Sequence, residues 1–129
     1  MTLTLGLVKA DLIAARQAIE YYETTGNKNV KNIAAYHLQQ AAEKSIKYQI
    51  YKATANPNNT KLYTHNIEKL ILYADSLNMG IEIPSFIRKK SLEITDWEAG
   101  SRYDYAFSAR IDTLKRTYEV LQLWISQLR

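Results

Sequence analysis

Cysteine is absent from this chain, which excludes a disulfide-stapled scaffold, a thiolate zinc site, a cysteine nucleophile and thiol redox chemistry together. Glycine and proline are scarce as well, four and two in 129 residues, and they fall between periodic segments, where they punctuate helices. No stretch alternates apolar and polar residues between hairpin turns, so a β architecture has no support. No run approaches the ~20 apolar residues that a membrane-spanning helix needs. Met1 to Val8 is partly apolar, but it has no basic leader and Lys9 and Asp11 follow at once, which is the wrong pattern for a secretory signal. The expectation is a cytoplasmic protein without membrane contact. The only two histidines, His37 and His65, sit on different predicted helices, and neither has a histidine or carboxylate four residues on. No metal site and no cofactor are therefore expected. A nucleophile elbow and a glycine-rich phosphate loop are also missing.

What is present reads as an all-α chain. Hydrophobic residues at 47% and charged residues at 23% match an ordinary globular composition, and the length suits one domain spanning residues 1–129. Leu5, Val8, Leu12, Ala15, Ile19 and Tyr22 step by three and four, which predicts a long first helix ending near Gly26. A second helix is predicted from Asn29 to Ala53. Its apolar arc, carrying Val30, Ala34, Leu38, Ala41, Ala42, Ile46 and Ile50, is so broad that the polar residues keep roughly a third of the circumference, which marks a central helix. Ala55 to Lys61 is asparagine-rich and reads as a loop. A third helix carries Ile67, Leu70, Ala74 and Leu77, capped by Thr64 or Asn66. In a fourth, Pro84 occupies the first turn, Ile87, Ser91, Ile94 and Trp97 follow, and Gly100 marks a stop or kink. The last helix, about Ser108 to Leu128, repeats the spacing of the first. The predicted architecture is an antiparallel, up-and-down bundle of about five helices.

The formal charge is +4, and its distribution is uneven. Lys28, Lys31, Lys44, Lys47 and Lys52 face only Glu43 between Asn27 and Lys52, a surplus that favours an anionic partner such as a nucleotide or RNA. The plainer reading is a solvated helix face. Glu43 and Lys47, four apart, form on one reading an exposed pair worth a few tenths of a kcal/mol. On the other they converge with Arg102, whose fork grips a phosphate bidentately while Tyr103 and Tyr105 stack a base. The candidate ligand-binding set is Tyr36, Gln40, Glu43, Lys44, Lys47, Arg102, Tyr103 and Tyr105. His65 and Arg102 are the weaker candidates for catalysis. Against them stands the reading of His65 as a first-turn residue that bonds the backbone or caps a neighbour, and of His37 as a satisfied residue at the core margin.

Three segments carry a family likeness: YHLQQAAEKSIKYQI at Tyr36 to Ile50, THNIEKL at Thr64 to Leu70 and SRYDYAF at Ser101 to Phe107. In order and spacing they resemble the HEPN domain family, which implies a helical bundle that dimerises, binds a nucleotide or RNA, and pairs with a separately encoded minimal nucleotidyltransferase in a toxin-antitoxin-like system. Ribonucleases of this family resemble one another in an Arg followed four to six residues later by a His. After Arg102 come Tyr103, Asp104, Tyr105, Ala106, Phe107, Ser108 and Ala109, with no histidine among them. The resemblance therefore implies a non-catalytic binding or docking module. The rivals are a ribonuclease rearranged around His65 or His37 with Arg102, and a module that only dimerises. A homodimer is expected on the resemblance and on Tyr21, Tyr51, Tyr73, Leu123 and Trp124, which lie beside or outside the core stripes.

Overall fold

The computed structural model describes residues 3–104 and 106–129. It is 75% helical, in keeping with the all-α expectation, and no strand occurs among the described residues. The order is α1 Leu5–Thr25, α2 Lys28–Ala53, α3 Asn59–Leu62, α4 Ile67–Ser76, α5 Ser85–Lys89, α6 Ser91–Tyr103 and α7 Ile111–Ser126. No helix among the described residues is long and apolar enough to cross a membrane.

The first hairpin is built by its caps. Thr4 starts α1 by accepting from the Leu7 N–H, and Gly26 ends it at φ 71°, the left-handed conformation that a residue without a Cβ adopts at no steric cost. Asn27 then accepts from the N–H groups of Asn29 and Val30 to start α2. With two residues between them, α1 and α2 must run antiparallel. Helix α2 packs against α1, α4, α6 and α7 and so occupies the centre, as its broad apolar arc predicts. Ala34, Ala35, Ala41 and Ala42 on it are fully buried, and their small side chains let the neighbouring helices approach closely. Ser45 satisfies its buried hydroxyl by donating to the Ala41 carbonyl at 2.6 Å.

Seven helices occur among the described residues, in rough agreement with the expected count of about five, and two places account for the difference. The loop expected from Ala55 to Lys61 contains the start of α3, which Asn58 caps through the Lys61 N–H and which buried Leu62 anchors in the core. The expected fourth helix divides at Lys90 (φ −99°, ψ 13°) into α5 and α6. Pro84 stands just ahead of α5 with extended ψ, one position earlier than expected. Gly100 neither stops nor kinks α6; it lies inside the helix, and a Cβ there would stand 2.5 Å from Phe107 Cδ1. Its role is to admit the Phe107 ring. Tyr73 and Trp124, expected outside the core, are buried within it; the Tyr73 hydroxyl accepts from the Asn58 N–H at 2.7 Å. Tyr21, Tyr51 and Leu123 remain exposed.

Candidate functional site

The corner between α6 and α7 is fastened to the start of α2. Asp104 accepts from the Ala106 N–H at 2.9 Å, the short side-chain turn for which aspartate is suited. Asn32 donates to the Phe107 carbonyl at 3.1 Å, and Lys31 donates to the Ser108 hydroxyl at 3.0 Å. Burial, with the like charge of Lys28 beside it, holds the Lys31 pKa below that of an ordinary lysine.

Arg102 stands at this corner, in the last turn of α6. It pairs with the Glu98 carboxylate one turn back, and its Nε lies 3.4 Å from the Glu98 carbonyl. The guanidinium lies over the rings of Tyr36 and Tyr103, 5.4 and 4.8 Å from their centroids, in the range of cation–π attraction. Beside it opens a shallow cavity of about 490 Å³ lined by Asn29, Asn32, Ile33, Arg102, Tyr103 and Asp104. The Asn32 Oδ1 is buried without a hydrogen-bond partner among the described residues, and no acidic residue occupies the first turn of α2. The helix N-terminus adds its partial positive charge there. With one glutamate on the guanidinium and two tyrosine rings within cation–π range, Arg102 keeps donors able to meet an oxyanion in the cavity it lines.

The remaining candidates are arranged differently from expectation. Glu43 and Lys47 do pair, at 3.0 Å, but the pair is largely buried rather than exposed. The structure does not bring them to Arg102, whose carboxylate partner is Glu98. Glu43 instead meets His65, its Oε1 lying 2.8 Å from the imidazole Nδ1. Gln39 donates both to that oxygen at 3.1 Å and to the His65 carbonyl at 3.0 Å, and Gln40 donates to Gln39 at 2.8 Å. His65 precedes α4, which Asn66 caps, so its ring bonds a side chain where a backbone contact or a cap was expected. Lys44 donates to Asp11 on α1 at 2.7 Å, and the other Asp11 oxygen lies 2.8 Å from His37 Nδ1. Burial opposes ionisation of Asp11, yet the bonds from His37 and Lys44 outweigh it and hold the carboxyl below its usual range. Tyr105 lies outside the described residues.

Two partners escaped the sequence reading. Glu98 was legible, since an acid four residues before a base is the favoured helical order. Asp11 was not, because it joins α2 only through the tertiary fold.

A central helix covered by four neighbours, with a basic residue at the α6–α7 corner, defines a class of small α-helical bundles. The HEPN domain model matches residues 9–125; nearly the whole chain is covered, and the protein belongs to the HEPN domain family. No curated protein matches the chain, and no solved structure does.

Proposed function

We propose that this protein is a non-catalytic HEPN module, one domain over its full length, that binds a nucleotide or RNA at the α6–α7 corner and docks a separate minimal nucleotidyltransferase, working as a cytoplasmic homodimer. The observation that carries the reading is Arg102, held over the Tyr36 and Tyr103 rings beside the start of α2. In this reading the guanidinium grips a phosphate oxygen pair, which a planar fork does better than an ammonium. Tyr103, which is 72% exposed, offers a face on which a base stacks. Lys44 and Lys47, each tied to a carboxylate, do not line the cavity beside Arg102.

The test is fluorescence anisotropy with a labelled single-stranded RNA and with AMP as competitor, at fixed low salt. Arg102→Ala removes a charge-assisted contact of about 1.5–3 kcal/mol and should weaken binding at least roughly ten-fold. Wild-type protein that binds neither probe, or an Arg102→Ala variant of undiminished affinity, refutes the reading. Cleavage of the RNA in the presence of a chelator, lost in the same variant, would replace it with the ribonuclease reading.

A further inference from the structure

We propose that His65 accepts a phosphoryl group at its Nε2, with Glu43 as the positioning residue and Lys47 as counter-charge. This goes beyond ligand binding at Arg102, although the cleft of about 880 Å³ that His65 lines also includes Tyr103 and Asp104.

A carboxylate only accepts hydrogen bonds, so the 2.8 Å contact with Glu43 places the N–H of the neutral imidazole on Nδ1. The lone pair is thereby left on Nε2, which has no protein partner among the described residues. Glu43 itself is buried and cannot turn away. Lys47 holds one of its oxygens at 3.0 Å, and Gln39 ties the other to the His65 carbonyl. Ring orientation and tautomer are both set by that arrangement.

Exposure then decides between two uses of such a nitrogen. A general base works best where water is excluded, but the His65 side chain is 61% exposed and stands between open clefts of about 500 Å³ and 880 Å³. A nucleophile that meets a donor brought from outside needs that openness. Leu3, Leu7, Tyr63, Lys44 and Lys47 line the smaller cleft together with His65.

The step balances with a phosphoramidate or acyl phosphate as donor. With phosphoramidate, the Nε2 lone pair forms the new N–P bond while the donor's N–P bond breaks, and ammonia leaves with that electron pair. The imidazole becomes cationic, keeps its Nδ1 proton and is stabilised by Glu43. Lys47 keeps its bond to the other Glu43 oxygen, so the ammonium and the imidazolium together offset part of the incoming phosphoryl charge. His37 is the internal comparison. It has the same carboxylate and lysine arrangement through Asp11 and Lys44, but it is only 28% exposed and its ring stands edge-on to Tyr36 at 5.3 Å.

The experiment treats the full chain with phosphoramidate, follows the gain of one phosphoryl group by intact mass, and locates it by phosphorus–proton NMR. Expected are modification at Nε2 of His65 alone, loss in His65→Gln, and a rate at least about ten-fold above both Glu43→Gln and a Tyr63–Leu70 peptide that lacks the carboxylate. The peptide keeps the test decisive if Glu43→Gln fails to fold. Modification at His37, at Nδ1, or at the rate of the peptide overturns the proposal.

Discussion

A Gly100→Ala substitution adds one methyl group to the middle of α6, and at an open helical site that change is worth about 1 kcal/mol in favour of folding. Here the methyl meets Phe107 at 2.5, 2.9 and 3.2 Å from three ring carbons, well inside van der Waals contact. The ring cannot simply swing aside. Its residue is fixed by the Phe107 N–H donating to the Asp104 carbonyl at 3.1 Å and by Asn32 donating to the Phe107 carbonyl. Overpacking of this kind costs roughly 1–3 kcal/mol, so the net effect is a destabilisation of about 1 kcal/mol, or a fall in Tm of about 4 °C at this chain length. In a Phe107→Ala background the clash is gone, and the same substitution should stabilise by about 1 kcal/mol. Urea denaturation of the four proteins of the cycle measures this. Because Phe107 sits beside the corner that holds Arg102, Gly100→Ala alone should also weaken RNA binding. A Gly100→Ala protein more stable than wild type, or a cycle that is additive, would refute the reasoning.

Two further outcomes follow from the buried contacts. The Asp11 carboxyl is held below its ordinary value of 3.8, so its network contributes stability above that pH and loses it as pH falls through the lower folded value. Asp11→Asn should cost about 1.5–3 kcal/mol at pH 7, and the gap from wild type should narrow as pH falls below 3.8; a gap that widens on acidification in denaturation curves contradicts the sign. Asn27→Ala removes the cap that accepts from two N–H groups of α2 and should cost about 1 kcal/mol in thermal unfolding, without changing the reactivity of His65.

Helix positions were legible where periodicity and capping residues agree. Gly26, Asn66 and the stepping of Leu5, Val8, Leu12 and Ala15 each constrain the backbone through their own neighbours, so α1, α2, α4 and α7 could be placed to within a few residues. The turn at α3 was hidden because it depends on a tertiary anchor, Leu62 in the core, and the break at Lys90 was hidden because no glycine or proline stands there to mark it. The candidate site was legible only in its parts. Arg102, Tyr36 and Tyr103 were named from motif and chemistry, and they do lie together. The convergence with Glu43 and Lys47 did not follow, because sequence spacing shows which residues share a face of α2 but not which face meets α6. Glu43, with buried positions on either side, turned inward to His65, and Glu98 took the guanidinium.

That inward turn changes what the lysine surplus means. Along the polar face of α2, Lys44 and Lys47 are each held by a buried carboxylate, Asp11 and Glu43, so with neutral histidines the four charges cancel. A phosphate approaching that face would have to compete with bonds of 2.7 and 3.0 Å already made to carboxylates, at a desolvation cost already met in the fold. The other end of the helix is different. Its first turn carries no acid, Lys28 and Lys31 lie there, the dipole adds positive charge, and Arg102 arrives from α6 with part of its fork uncommitted. One helix thus presents a neutral, histidine-bearing flank and an electropositive end. The two regions carry separate proposals, a nucleophilic nitrogen at the flank, where Asp11 and Glu43 each bond an imidazole and a lysine, and anion recognition at the end, where Glu98 takes only one side of the guanidinium.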